Sequence, residues 1–129
     1  LGRGADNAVT ELAATAEDTL YLDGTGRLDF TKTWDGGFVG TGRGLLVSGG
    51  DPQSGNAGYV AFETVEGELD GRRGGFALHQ FGTMSGGSPT LSYAIVPGSG
   101  TGDLTGISGT IDLDIVDGHH EVTIRYSLA

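Results

Sequence analysis

ETVEGELDGRRGGFALHQFGTMSGGSPTLSYAIVPGSGTGDLTGISG, residues Glu63 to Gly109, alternates short apolar segments with glycine clusters at a nearly regular interval. Short apolar runs bounded by turn formers are the mark of strands, and the stretch reads as consecutive strands of one antiparallel meander. A tight corner over Gly67–Gly75 leads into a strand from Phe76 to Met84. A second corner over Pro97–Gly109 joins the strand Thr90–Val96 to the next.

The same pattern extends in both directions. Upstream, Tyr59–Leu69 alternates with period two, Tyr59, Ala61, Glu63 and Val65 on one face and Val60, Phe62, Thr64 and Glu66 on the other. Ser48–Gly58 is the most loop-like stretch. Phe38–Ser48 is a longer strand that places Gly40, Gly42 and Gly44 on one face, a spacing that predicts bending or the close approach of another surface. Asp35-Gly36-Gly37 is a turn, preceded by a strand through Leu28, Phe30, Lys32 and Trp34, and Asp23-Gly24 joins that strand to Leu20 and Leu22. Downstream, Thr110–Val116 and His119–Leu128 flank Asp117-Gly118, a type I′ hairpin signal, with Asp112 and Asp114 on its wet side. Residues Leu1–Asp18 read differently, as an N-terminal extension that is disordered or forms a short helix capped by Asn7, with Val9, Leu12 and Ala13 on one side. The expectation is a single all-β domain over residues 19–129, a closed antiparallel barrel of about eight strands with at most one short N-terminal helix. Closure follows because an open glycine-rich meander would leave two long unpaired edges.

Composition narrows the function. The chain has 129 residues, enough for one domain with one core. Its 26 glycines have no Gly-X-Y period and fall between apolar runs, as turns do. Acidic residues outnumber basic ones by 17 to 7, a net charge of −10 that repels phosphate backbones and anionic lipid, so neither nucleic acid nor membrane is an expected partner. There is no cysteine, hence neither disulfide nor thiolate chemistry. No apolar run approaches the ~20 residues of a membrane helix, and no signal-peptide pattern opens the sequence. The expected location is the cytoplasm, with export of a processed precursor left open because the first residue is Leu1.

Two separated motifs carry a resemblance. Gly67, Leu69, Gly71, Arg72, Gly74, Phe76 and Leu78, followed by Gly82-Thr83, trace one of them, and Val96–Gly109, VPGSGTGDLTGISG, is the other. Together with Thr31-Lys32-Thr33-Trp34 and the closing Tyr126 and Leu128, they resemble the bacterial domain-of-unknown-function family 3224 from about Thr31 to Leu128. The resemblance implies an eight-stranded barrel similar to allene oxide cyclase, often assembled as a homo-oligomer, a dimer or trimer; a lipocalin-like barrel is the alternative form of the fold. Barrels of like shape act as cyclases or isomerases on apolar substrates. Members of the family commonly carry Gln-His where this chain reads His79-Gln80, so no role is carried over to that histidine.

Glu63, on the Tyr59/Ala61/Val65 face, is the candidate acid or base if it projects into an apolar interior; an ion pair with Arg72 or Arg73, or exposure, is the plain alternative. Tyr93 joins it as the second catalytic candidate, since it holds the aromatic position that precedes the second motif in the resembled family. Trp34, Tyr59, Phe76, Leu78, Gln80 and Tyr126 are the candidate pocket residues, aromatic or apolar walls with a few polar handles. Lys32 shares a face with Phe30 and Trp34, and a snorkelling surface position is favoured over a cavity one. Only one of His79 and Gln80 can face inward, and Gln80 goes with Phe76 and Leu78. His119 and His120 point to opposite faces without partners at ligand spacing, so no metal is expected. GSGTGDLTG lacks the lysine and following helix of a phosphate loop and reads as a corner, so no cofactor is expected. The functional expectation is a barrel that binds an apolar, polyketide- or lipid-like small molecule, with cofactor-free cyclisation or isomerisation as its chemistry. A non-catalytic carrier and a structural module with a filled barrel are the alternatives.

Overall fold

The computed structural model describes the backbone of residues 2–19, 24–116 and 119–128, and the side chains of residues 24–114 and 121–128. The fold is all-β. Strands β2 (Thr25–Gly36), β3 (Phe38–Asp51), β4 (Asn56–Leu69), β5 (Arg72–Ser85), β6 (Ser88–Ile95), β7 (Ser108–Val116) and β8 (His119–Ser127) form a seven-stranded antiparallel meander in which every strand pairs with its sequence neighbour. Two single-turn 3-10 segments, Pro52–Ser54 and Gly102–Leu104, interrupt it.

Local chemistry sets the reversals. Asp70 and Gly71 both take positive φ, +49° and +84°, so the β4–β5 connection is a two-residue turn whose twist matches the strands it joins. The stretch read as the loop Ser48–Gly58 is mostly ladder: β3 continues to Asp51 and β4 begins at Asn56. Asp51 makes the sharp exchange between them, its carboxylate accepting from Gln53 N at 3.0 Å ahead of Pro52.

The N-terminal expectation is corrected. Gly2–Thr19 is not a short helix or disordered extension but a strand, β1, antiparallel to β2 through Thr19↔Gly26 to Asn7↔Gly36 and to β8 through Gly2↔Ser127 to Val9↔His120. Two register shifts, between Val9 and Glu11 and between Ala14 and Ala16, explain the misreading. Each shift inserts a residue and inverts the side-chain parity, so the apolar positions of β1 keep no period of two. Leu20–Asp23 and the Asp117-Gly118 turn, read above as a strand end and a type I′ hairpin, lie outside the described residues, as do the side chains of His119 and His120.

Register divides the meander into two faces. Even positions of β2, β3, β5 and β8 and odd positions of β4, β6 and β7 share the inner face. At one end that face is filled by Phe38, Leu69, Phe76, Ile111, Ile124 and Tyr126, with Trp34 edge-on to Phe38 at 5.8 Å. Leu104 and Ile107, from the segment between β6 and β7, complete this packing with almost no exposure. The segment is fixed along β5 by two hydroxyls and a backbone bond: Ala77 N donates to Ser99 Oγ at 2.9 Å, Gly75 N to Thr101 Oγ1 at 3.0 Å, and Thr101 N to Gly75 O at 2.8 Å. The glycines of the second motif thus serve a corner that plugs the packed end. On the outer face Val60, Phe62 and Phe81 stand half exposed.

Candidate binding site

Three successive inward positions of β3 without side chains build the site. Phe30, Lys32 and Trp34 of β2 stand opposite Gly44, Gly42 and Gly40 of β3, and those glycines in turn stand opposite Glu63, Val65 and Gly67 of β4. Side chains from β2 therefore reach over β3 to β4. A Cβ at Gly42 would overlap Glu63 Oε2 and lie 3.0 Å from Trp34 Nε1, so the glycine is what allows the two to meet.

What meets there is a buried ion pair. Lys32 Nζ lies 3.0 Å from Glu63 Oε1, with the two side chains 12% and 4% exposed. Trp34 Nε1 donates to Glu63 Oε2 at 2.9 Å. The ammonium also sits 5.0 Å from the centre of the Phe30 ring and 5.8 Å from that of Trp34. Both carboxylate oxygens are thereby engaged by donors, the condition under which a buried charge is tolerated. Lys32, favoured above as a surface lysine, is an interior one, and Glu63 pairs with it rather than with Arg72 or Arg73. The shared face of Phe30, Lys32 and Trp34 grouped the lysine with the aromatics, but its partner Glu63 lies two strands away.

Tyr93 and Gln80 oppose each other in register on β6 and β5. The Tyr93 ring is 6% exposed. Burial first, then the negative charge of Glu63, push its hydroxyl far above the ordinary tyrosine range, so it is a neutral donor at any physiological pH. Gln80 Nε2 donates to Tyr59 Oη at 2.6 Å. Burial raises the Tyr59 hydroxyl too, and the Gln80 hydrogen bond offsets part of that rise.

Beyond this polar layer the inner face opens into a cavity of about 460 Å³, walled chiefly by apolar atoms of Leu46, Ala57, Tyr59, Met84, Leu91 and Leu113. Tyr59 belongs to both the wall and the polar layer. Leu91 is one inward position from Tyr93, on the side of the opening. A second hollow of about 440 Å³ lies among Thr31, Thr33, Thr41, Arg43, Thr64 and Glu66, on the opposite side of β2–β4. Among the described residues no cluster of three or more His, Cys, Asp or Glu could hold a metal ion.

The fold thus brings Glu63, Tyr93, Trp34, Gln80 and Tyr59 to one region. Phe76, Leu78 and Tyr126, expected as pocket walls, sit in the packed core instead. Tyr126 faces the plugged end, where its hydroxyl donates to Asp70 Oδ2 at 2.5 Å in the β4–β5 turn. His79 is exposed on the outer face. Leu46, Met84 and Leu113 were missed as cavity walls. Their alternation in the sequence marks an inner face but not which end of it is filled.

A search of curated proteins returned no match. Among solved structures, a crystal structure of a protein of unknown function from Shewanella oneidensis MR-1, of the DUF3224 family, is similar over 100% of this chain and 97% of that one, with a TM-score of 0.87 and 32% identity. The family described as "Protein of unknown function (DUF3224)" matches residues 7–126, which takes in β1 from Asn7 onward as well as both glycine motifs. The chain belongs to the DUF3224 family.

Proposed function

We propose that the eight strands form a closed barrel that binds an apolar small molecule in its open end. The observation that carries the reading is the cavity of about 460 Å³ with chiefly apolar walls, Tyr59 of the polar layer among them, a composition that ligand sites generally have. Closure is supported by β1, which has a pairing partner on each side. Binding without turnover is favoured by Glu63, since a carboxylate held at both oxygens by Lys32 and Trp34 is poorly placed to move a proton.

Conversion of the ligand, by cyclisation or isomerisation without a cofactor, is the second reading. It draws on Tyr93, a protonated hydroxyl within the electrostatic reach of Glu63, which could hold a substrate oxygen while the apolar walls fold the rest of the molecule.

Fluorescence titration with Nile red tests the proposal. Wild-type protein should take up the dye saturably, about one per chain, and Ala57→Trp, which fills the cavity, should abolish uptake while leaving the circular dichroism unchanged. Absence of saturable uptake by folded wild type, or equal uptake by Ala57→Trp, would remove the cavity as a binding site.

A further inference from the structure

We infer that the site receives its ligand through a neutral acceptor oxygen, a ketone or ester carbonyl on an otherwise apolar molecule, and discriminates against a carboxylate on the same skeleton. The inference rests on the binding function proposed above and specifies the chemistry of the ligand's polar end.

The polar layer next to the cavity is a donor surface. Gln80 Nε2 donates to Tyr59 Oη, which uses the oxygen as an acceptor and leaves the Tyr59 proton to be given elsewhere. Tyr93 is a buried residue, and its hydroxyl makes no hydrogen bond to any described residue. Such a group is costly in an apolar setting unless something accepts its proton. Tyr59 lines the cavity and Tyr93 lies one inward position from Leu91, which also lines it. One hydroxyl donor therefore belongs to the cavity lining and a second lies in the layer next to it. Burial raises both hydroxyls above the ordinary tyrosine range, so each keeps a proton to donate near neutral pH.

The charges beside this layer select among acceptors. A ligand carboxylate would approach Glu63, and the cation that could have neutralised it, Lys32, is already 3.0 Å from Glu63 Oε1. Lys32 is also the only lysine in the sequence. In a low-dielectric interior, two like charges with one shared cation are strongly disfavoured. A carbonyl oxygen takes the same two protons without bringing a charge.

Three naphthalenes with one ring system separate these possibilities: 6-propionyl-2-(dimethylamino)naphthalene, a neutral ketone; 6-(dimethylamino)-2-naphthoate, its anionic counterpart; and 2-(dimethylamino)naphthalene, which lacks an acceptor oxygen. Each is titrated by its own fluorescence against wild type, Tyr93→Phe and Tyr59→Phe near neutral pH, with Trp34 emission confirming the fold. The ketone should bind wild type at least about tenfold more tightly than the naphthoate and about three- to tenfold more tightly than the parent amine. Each Tyr→Phe change should reduce the ketone's advantage over the parent while leaving the parent's own affinity in place. Equal binding of ketone and naphthoate, or an advantage that survives both Tyr→Phe changes, would overturn the carbonyl assignment and leave apolar binding intact. Failure of all three to bind would overturn both.

Discussion

The Trp34 indole donates to Glu63 Oε2 across an intervening strand that places no side chain between them. Trp34 is the only tryptophan of the chain, so its fluorescence reports directly on the buried pair. Removing Glu63 strands Lys32 in the interior. Glu63→Ala should cost about 3–5 kcal/mol in urea denaturation and shift the Trp34 emission. The double change Lys32→Met with Glu63→Leu should recover most of that loss, because removing both charges also removes their desolvation. A double variant as unstable as Glu63→Ala would show that packing rather than charge accounts for the loss.

Gly42→Ala tests the gap itself. The added methyl overlaps Glu63 Oε2, and the backbone on both sides is held in register by β2 and β4. Overpacking of this kind costs about 1–3 kcal/mol, read as a lower urea midpoint together with altered Trp34 emission. Gly49→Ala, in the same strand with 3.7 Å to its nearest atom, is the control and should leave the emission unchanged.

Alkaline pH isolates Tyr93. Its hydroxyl is raised in the folded state, so above the ordinary tyrosine value of 10.0 the unfolded chain releases that proton while the folded chain keeps it. The contribution is fully present below pH 10.0 and declines as pH rises, by up to about 1.4 kcal/mol per pH unit. Tyr93→Phe should flatten the slope of urea stability against pH in that range. An unchanged slope would mean that Tyr93 ionises as freely in the fold as outside it.

Ser99 and Thr101 act at the opposite end. Ser99→Ala removes the acceptor of Ala77 N–H, a backbone donor on a buried residue, and should cost about 1–3 kcal/mol in urea denaturation. The cavity lies away from this contact, so Nile red uptake should keep its wild-type affinity wherever the variant is folded.

What could be read from the residues alone was the alternation, and what could not was how alternation is shared between neighbours. The glycine clusters between Glu63 and Gly109 marked reversals, and the inward choice of Gln80 over His79 followed from parity with Leu78. β1 escaped because its two register shifts erase the period on which strand reading depends. Lys32 escaped for a different reason. A lysine between two aromatics reads as a snorkelling residue unless one knows that Gly42 faces it and Glu63 lies one strand further on. That is a statement about three strands at once, and no single window contains it. Phe76, Leu78 and Tyr126 were placed on the correct face but belong to its packed core, and the plug formed by Leu104 and Ile107 comes from a segment with no periodicity to read.

The interior position of Lys32 has a practical corollary. With no other lysine in the sequence, side-chain amine chemistry of every kind converges on one shielded atom. Acylating reagents become a clock for the opening of the inner face, because Lys32 Nζ reacts only when it leaves Glu63 and meets solvent. The same seclusion removes the side chain that acetylation and ubiquitin attachment require from the outside of these residues. Among the described residues the exterior is left to arginine, histidine, carboxylate, amide, hydroxyl and apolar contacts.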